Sequence, residues 1–482
     1  MGELAGGVLA CGSMQVLRTG IRSVAHLTYG RERHMSKHGQ VTVGSLMSRL
    51  TGSRSRPSAA PASGLDPLTE RLSRHKVTRV ALSFLDANAG MHLKDLLFDS
   101  TTDDRRVTID GHTVWNFGSD SFLGLDRDPR VHKAIRDALP EWGAHNGASR
   151  AFSSPVLVDE AEEKLAAWLG VPDTFIFPSV TLANVGLLPA ITQKGDLLVV
   201  DRESHDSVHQ GARLAAAASG ARVVELATPE PRALERLVHQ AGGHGGLVLA
   251  IDGVYSMSGR TPPLADLDAT VRGLGGIMYV DDAHGTGVVG PRGRGAAAAA
   301  LGTLENVLMV GSLSKAFSCL GGFVTCTPEL KTVLKIRSST FIFGGPVPPP
   351  YLAAISAVCD IMMTPQYDEL LGGLHARIER FTSGLDTLGI EYHGGDSAII
   401  SLVVGDLEKT FAAGRQLFDR GFYAQSATYP AVPIHGGLLR VQINANHPLE
   451  AVDGLLNAIA DLWKEARLPV RRRAAVSPSA TV

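Results

Sequence analysis

The strongest indication of the fold is the stretch IMYVDDAHGTGVVGPRGRG, residues 277–295. It opens with an uninterrupted apolar run and becomes polar at Asp281, Asp282 and His284. An apolar run without alternation indicates a strand that is buried on both faces of a sheet. The glycines and Pro291 that follow predict a loop rather than another regular element.

Four more apolar runs of this kind occur along the chain, separated by helical patterns. They cover residues 175–177, 197–200, 247–251 and 307–310. Strands that alternate with helices predict an α/β fold, with a mostly parallel sheet covered on both faces. One of the helices is well marked, because Ser154 can cap its start, Pro155 suits its first turn and Gly170 can end it.

Polar residues follow these runs at the positions where parallel sheets bind ligands, beyond the carboxyl ends of the strands. They are Asp201, His205, Asp252, Ser256, Asp281, Asp282, His284, Ser312, Ser314 and Lys315. Each alone has an ordinary structural explanation. A lysine, carboxylates, imidazoles and hydroxyls on one rim together indicate an active site.

This set of groups suits a pyridoxal phosphate site. Lysine forms a Schiff base with an aldehyde cofactor, and a carboxylate keeps the pyridine nitrogen protonated, so that the ring accepts electrons. An imidazole can stack on the ring, and hydroxyls and helix N-termini bind phosphate. The residues therefore favour pyridoxal phosphate chemistry.

Two motifs in the same region are formal matches to other sites. Gly285, Gly287 and Gly290 form a GxGxxG pattern, but the PRGRG that follows breaks the helix that a dinucleotide site needs. Ser312 and Lys315 form an SxxK pattern, but no KTG or SDN motif accompanies it, and it follows a strand instead of opening a helix. We therefore assign neither dinucleotide binding to the glycine motif nor a serine nucleophile to the SxxK motif.

Composition excludes several other classes of protein. The 482 residues are 44% hydrophobic and 20% charged, as in folded proteins, and no apolar run approaches the roughly 18 residues of a membrane span. The ends are basic and the body is acidic, so no nucleic-acid interface is expected. The four scattered cysteines, which predict neither disulfides nor a metal site and favour the cytoplasm, are Cys11, Cys319, Cys326 and Cys359.

Several motifs resemble those of one enzyme family. They include VWNFGSDSFLGL at 114–125, IDGVYSMSG at 251–259, YVDDAHGTGVVGPRGRG at 279–295, GSLSKAF at 311–317 and LRVQINANHP at 439–448. In this order they resemble the α-oxoamine synthases, class-II aminotransferase-like enzymes of pyridoxal phosphate fold type I. Serine palmitoyltransferase, 8-amino-7-oxononanoate synthase, 5-aminolevulinate synthase and 2-amino-3-ketobutyrate CoA ligase belong to this family, and the choice among them stays open.

The resemblance implies fold type I, with a mostly parallel central sheet, helices on both faces and a smaller α+β C-terminal domain. The predicted organisation is a basic disordered extension at 1–65, an entry segment at 66–118, a large cofactor-binding domain at 119–362, a small domain at 363–468 and a basic disordered tail at 469–482. The composition of the first segment also resembles a mitochondrial transit peptide. Alternatively, Met35 is the true start.

The resemblance also implies a role for each catalytic residue. Lys315 would hold the cofactor and move the Cα proton. Asp281 would pair with the pyridine nitrogen, and His284 would reach the ring hydroxyl with the assistance of Ser256. His205 would stack on the ring.

Further residues would bind the cofactor phosphate and the substrate. Ser312, Ser179 and Thr181 would bind the phosphate, Arg440 would bind the amino-acid carboxylate, and Asp120 would lie beside the substrate. The chain departs from the family pattern at three places, which are Val180 in place of glycine, Asp120 in place of asparagine, and Gly344-Gly345 in place of a serine or threonine that the partner subunit offers. These departures put the tight amide cradle at the phosphate turn and the binding of a substrate carboxylate in doubt.

The implied activity is that of a pyridoxal phosphate-dependent acyltransferase without a metal. It condenses a small amino acid with an acyl thioester of CoA or a carrier protein in a decarboxylative Claisen-type reaction, giving an α-aminoketone, CO2 and free thiol. A homodimer is the implied assembly. Two alternatives stay open, an aminotransferase that uses Lys315 and Asp281, and a non-catalytic partner subunit of such a synthase.

Overall fold

The computed structural model describes residues 65–429, 431–433 and 435–470. The predictions for the N-terminal extension, for Met35 and for the tail beyond residue 470 lie outside the described residues. The chain divides into two compact units, residues 1–86 and 87–482. The described part of the first unit contains helix α1 (Asp66–Ser73) and all but the last residue of α2 (Lys76–Ala87).

The second unit begins with three short strands and two helices. They are β1 (Ser100–Thr101), β2 (Arg106–Ile109), β3 (His112–Asn116), α3 (Pro129–Trp142) and α4 (Leu157–Leu169). Helix α4 ends as predicted at Gly170, which has a φ of 71°. The prediction for its start was wrong, because the helix begins at Leu157 after Val156 and no side chain caps it, so Ser154 and Pro155 lie outside the helix.

A seven-stranded sheet forms the centre of this unit. Its strands are β4 (Asp173–Phe177), β5 (Leu197–Asp201), β6 (Arg222–Leu226), β7 (Leu247–Asp252), β8 (Ile277–Asp281), β9 (Val307–Ser312) and β10 (Gly322–Cys326). The helices between them are α5 (Val180–Ile191), α6 (Asp206–Ser219), α7 (Pro231–Ala241), α8 (Leu264–Gly273) and α9 (Ala296–Leu301). The spatial order is β4-β10-β9-β8-β7-β5-β6, and only β10 runs against the others.

The five predicted apolar runs all lie in this sheet, as β4, β5, β7, β8 and β9. Strand β5 shows why they lack alternation: Leu197 and Val199 pack into the core on one face of the sheet, and Leu198 and Val200 pack into the core on the other. The prediction of a mostly parallel sheet with helices on both faces is therefore confirmed.

Three further helices pack on the central part of the unit, α10 (Pro328–Arg337), α11 (Ser339–Phe343) and α12 (Pro349–Met362). The elements that follow build a smaller α+β part. They are α13 (Pro365–Leu388), β11 (Tyr392–Gly394), β12 (Ile399–Gly405), α14 (Leu407–Asp419), β13 (Phe422–Tyr423), β14 (Gln425–Ala427), β15 (Gly437–Gln442) and α15 (Leu449–Ala466). Strands β11, β12, β15 and β14 form an antiparallel sheet, while β13 pairs with β3. The predicted domain boundary at 362/363 falls between α12 and α13, and the boundaries stay predictions.

The topology brings the strand-end residues to one rim. Strands β5, β7, β8 and β9 are parallel neighbours, so Asp201, Asp252, Asp281 and Ser312 lie along one edge. Asp252 and Asp281 are direct partners in the register. None of the described helices combines the length and apolar character that a membrane crossing requires.

Candidate active site

Two neighbouring carboxyl groups form the centre of the rim. Asp252 and Asp281 are both buried at the ends of adjacent strands. Burial and the nearby Asp281 carboxylate raise the pKa of Asp252 well above its ordinary value. The backbone N–H of His205 donates to both carboxyl oxygens of Asp252, at 3.1 and 3.2 Å. Despite these two hydrogen bonds, burial and Asp281 disfavour the charged form of Asp252.

Asp281 is held in a fixed orientation by Asn184 of helix α5. The amide nitrogen of Asn184 donates to Asp281 Oδ2 at 2.6 Å and to Ser207 Oγ at 2.8 Å. The hydroxyl of Tyr279 donates to Asn184 Oδ1 at 2.7 Å. The backbone N–H of Ala283 donates to Asp281 Oδ1 at 3.2 Å. Both carboxylate oxygens of Asp281 thus accept a hydrogen bond from another residue of the protein.

The same hydrogen-bonded chain continues to His205, the residue that precedes helix α6. Its Nδ1 accepts from the backbone N–H of Ser207 at 3.3 Å and lies 2.7 Å from Ser207 Oγ. A backbone donor makes Nδ1 an acceptor, which assigns the proton of the neutral ring to Nε2. The imidazole itself is exposed, so its ring is positioned from one edge and open to the site.

Lys315 lies in a tight loop after β9. Backbone bonds shape this loop, since Leu313 N–H donates to Gly321 O at 3.0 Å and Ser318 N–H donates to Lys315 O at 2.8 Å. Burial lowers the pKa of Lys315, opposed by the carboxylates of Asp120 and Asp281. A lowered pKa increases the share of the neutral amine, which is the form that attacks a carbonyl.

His284 lies in the loop after β8 and is buried. Burial lowers its pKa well below the ordinary value, and the neighbouring Lys315, Arg440 and His205 lower it further. These couplings show that the structure brings the predicted lysine, arginine and both histidines together. The imidazole of His284 is therefore neutral and can form a hydrogen bond with the hydroxyl group on the ring of a pyridoxal phosphate cofactor.

Two of the three predicted phosphate residues, Ser179 and Thr181, lie at the N-terminus of α5. Ser179 has extended backbone angles, and its Oγ accepts from Leu182 N–H at 3.1 Å. Val180 is the first residue of the helix, so the turn does not require the positive φ that favours glycine. The backbone conformation at position 180 therefore does not need a glycine, and the binding of a phosphate at this turn stays a prediction. Thr181 is exposed in the first turn of the helix.

The glycine that allows close packing at this turn is Gly322, which lies in the neighbouring strand β10. A Cβ on Gly322 would lie 2.7 Å from Val180 N. Gly322 is also the register partner of Ser312, whose Oγ accepts from Ser314 N–H at 3.2 Å. The glycine therefore brings the Ser312 hydroxyl and the N-terminus of α5 to one place.

Arg440 extends from β15 and is surrounded by acceptors. Its Nε donates to Ser256 O at 2.7 Å, its Nη1 donates to Gln425 Oε1 at 2.8 Å, and its Nη2 donates to Asp120 Oδ1 at 3.3 Å. The Gln442 amide also donates to Asp120 Oδ1. Ser256 thus contacts Arg440 through its carbonyl, and the role of its hydroxyl stays a prediction.

Two other carboxyl groups of the rim serve the protein itself. Asp201 Oδ2 accepts from Tyr255 Oη at 2.7 Å, and burial raises the pKa of Asp201 to about 6. Asp282 Oδ2 accepts from Ala297 N–H at 3.0 Å, and burial raises the pKa of Asp282 to about 7. No group of three or more histidine, cysteine or acidic side chains among the described residues is arranged to hold a metal ion.

Comparison with known proteins identifies the family. The family model for aminotransferases of class I and II matches residues 112–459. The chain belongs to this family. An 8-amino-7-oxononanoate synthase of Geobacter sulfurreducens is 34% identical over 361 residues, which are 75% of this chain and 91% of that protein. The 4-hydroxy-2,2'-bipyrrole-5-methanol synthase PigH of a Serratia species is 33% identical over 389 residues, 80% of this chain and 58% of that protein.

Solved structures agree with this assignment. Serine palmitoyltransferase of Sphingomonas wittichii superposes with a TM-score of 0.75 and 26% identity, covering 85% of this chain and all of that one. Within the class I and II aminotransferases, the chain is therefore an α-oxoamine synthase, and the family's cofactor is pyridoxal phosphate.

The residues of this aminotransferase-family site fit the cofactor. Asn184 holds the carboxyl group of Asp281 in a fixed orientation for a pyridine nitrogen, and Lys315 provides an amine whose pKa burial lowers. At the other end, the α5 N-terminus and the Ser312 hydroxyl provide donors for a phosphate. Gly322 keeps that place free of a side chain.

Sequence reasoning missed three residues that support the site. Asn184 and Ser207 connect Asp281 to His205, and Tyr279 donates to Asn184. No motif quoted from the sequence contains Asn184. A signal did exist, because Asn184 is a fully buried polar residue in the otherwise apolar helix α5. A polar residue at such a position needs a hydrogen-bonding partner.

Proposed function

We propose that this enzyme condenses a small amino acid with an acyl thioester of CoA or a carrier protein. The amino acid loses its carboxylate as CO2, the thiol is released, and an α-aminoketone results. The observation that carries the proposal is the set of groups around Lys315. Burial lowers the pKa of Lys315, Asp120 and Asp281 oppose this shift, and Arg440 adds to it. The site thus offers an amine for the cofactor and, at Arg440, a buried guanidinium for a carboxylate.

Each side chain has a part in this reaction. Pyridoxal phosphate, when bound, supplies an electron sink for the pair left on Cα. Asp281 would pair with the pyridine nitrogen, and Asn184 keeps that carboxyl group from turning. His205 would stack on the cofactor ring, His284 would bind the hydroxyl group of that ring, and Lys315 would remove and return the Cα proton.

The experiment combines the protein with glycine, L-alanine or L-serine, each with and without an acyl-CoA or an acyl carrier protein. CO2 release that requires the thioester is the expected result. Formation of a 2-keto acid without thioester would identify an aminotransferase instead. A protein without visible cofactor absorbance would identify a non-catalytic subunit, whereas we expect an absorbance that Lys315→Ala removes.

We also propose that the enzyme is a homodimer. Phe152 and Phe343 are 89% and 85% exposed, and they lie near each other because Ser149 Oγ donates to Ile342 O. Exposed aromatic groups of this kind are typical of protein interfaces. Sedimentation analysis should give a dimer and a shift to monomer in Phe343→Ser, and a monomeric wild type would contradict the proposal.

The patch formed by Phe152 and Phe343 also lies beside the phosphate end of the site. Helix α11 packs on α5, where Thr340 Oγ1 donates to Leu182 O at 2.7 Å. Gly344 directly follows α11. The place where the family pattern expects a partner-supplied hydroxyl is thus close to the patch. The cytoplasmic location, or a mitochondrial one if residues 1–65 are a transit peptide, stays a prediction.

A further inference from the structure

Asp120 lies on the side of Arg440 from which a substrate would enter. Its Oδ1 accepts from Arg440 Nη2 at 3.3 Å and from the Gln442 amide. The Arg440 side chain is only 4% exposed, whereas that of Asp120 is 38% exposed. The aspartate therefore reaches the buried guanidinium from the open side of the site.

The contact with Nη2 is decisive because of guanidinium geometry. A carboxylate binds a guanidinium with two parallel hydrogen bonds along either the Nε–Nη2 edge or the Nη1–Nη2 edge. Nη2 belongs to both edges. Ser256 O already accepts from Nε, and Gln425 Oε1 accepts from Nη1. Nη2 carries one N–H for each edge, so Asp120 Oδ1 occupies one of the two, and its charge acts on a carboxylate at either edge.

Asp120 also acts on the lysine that receives the substrate. Among the charged groups that affect the pKa of Lys315, Asp120 has the largest effect, ahead of Asp281 and Arg440. An amino acid whose amino group reaches Lys315 and whose carboxylate reaches Arg440 must therefore enter the space on which Asp120 acts. Two carboxylates at one guanidinium repel each other.

We propose that Asp120 determines substrate affinity by competing with the α-carboxylate of the amino acid for Arg440. The proposal rests on the proposed function, since it assumes that an amino acid binds between Lys315 and Arg440. The amino acid binds most tightly when Asp120 releases Nη2. The affinity for an amino acid is then lower than the same site would have with a neutral residue at position 120.

The substitution Asp120→Asn tests the competition directly, because it retains the size and one acceptor oxygen while it removes the charge. The protein loaded with pyridoxal phosphate is titrated with L-alanine and with L-alanine methyl ester, and both dissociation constants are read from the cofactor absorbance. We expect the variant to bind alanine about tenfold or more tightly. The affinity for the ester, whose carboxyl group carries no charge, should be unchanged.

Asp137→Asn serves as the matched control, because Asp137 is an exposed acidic residue of α3 that pairs with Lys133. It should bind both probes as the wild type does. Unchanged or weaker binding of alanine by Asp120→Asn, or equal tightening for the ester, overturns the proposal.

A second measurement separates this proposal from the proposed function. If neither protein gains visible absorbance with pyridoxal phosphate, the proposed function fails. The role of Asp120 is then tested by the unfolding temperature of the cofactor-free protein. Sodium acetate should raise the unfolding temperature of Asp120→Asn more than that of the wild type, because Arg440 is free to bind the carboxylate of acetate only in the variant. Equal shifts overturn the competition.

Discussion

Replacing Asn184 with leucine tests the hydrogen-bonded chain that holds Asp281. Asn184 is fully buried, donates to Asp281 and Ser207, and accepts from Tyr279. Leucine is similar in size and has no polar atoms, so three buried groups each lose a partner. Ser207 and Asp281 retain other partners, whereas the hydroxyl of Tyr279 is left in a buried apolar place.

The magnitude follows from these losses. A buried polar group without its partner costs about 1–3 kcal/mol, and a hydrogen bond to a charged group contributes about 1.5–3 kcal/mol. We expect Asn184→Leu to lose about 3–5 kcal/mol of the free energy of unfolding. Because Asp281 becomes free to turn, the affinity for pyridoxal phosphate should fall about tenfold or more.

Urea unfolding of the cofactor-free protein measures the first effect, and absorbance titration with pyridoxal phosphate measures the second. The double variant Asn184→Leu/Tyr279→Phe removes both partners of one hydrogen bond. Its loss of unfolding free energy should therefore be about 1 kcal/mol smaller than the sum of the losses of the two single variants. A loss of stability below about 0.5 kcal/mol together with unchanged cofactor affinity would refute the reasoning.

Three further variants test other contacts. Because burial and Asp281 disfavour the charged form of Asp252, Asp252→Asn should retain most of the affinity for pyridoxal phosphate, whereas Asp281→Asn should lose about tenfold or more; equal losses in the titration would contradict this. In Gly322→Ala the new methyl group lies 2.7 Å from the nearest backbone nitrogen, so urea unfolding should show a loss of about 1–3 kcal/mol, and Gly345→Ala, with open space around it, should show none. Burial lowers the pKa of His447 from 6.5 to about 3, so the unfolded chain binds a proton that the folded chain does not, and stability should fall as the pH drops through this range. His447→Gln should remove that part of the fall, and identical pH profiles of urea unfolding would speak against it.

The central strands could be predicted because their signal is local. A strand such as β8, buried along almost its whole length, carries an unbroken apolar run that ends in a polar residue. The sequence does not predict β6, an edge strand of which only Leu226 is fully buried. It also misses β10, in which the buried Thr325 accepts from Met309 N–H at 3.0 Å and interrupts the apolar pattern.

The supporting contacts of the site could not be predicted, because they join distant parts of the chain. The bond between Asn184 and Asp281 spans 97 residues, and that between Asp120 and Arg440 spans 320 residues. Motif positions predict that Asp120 and Arg440 share a site. Only the folded chain shows that the aspartate contacts the nitrogen common to both binding edges of the guanidinium.

The most direct test of the account is the stoichiometry of CO2 and thiol release from a carboxyl-labelled amino acid and an acyl thioester. The account predicts one CO2 for each free thiol, no CO2 without thioester, and neither product from Lys315→Ala. Labelled CO2 in the absence of thioester, thiol release without CO2, or full activity of Lys315→Ala would contradict it.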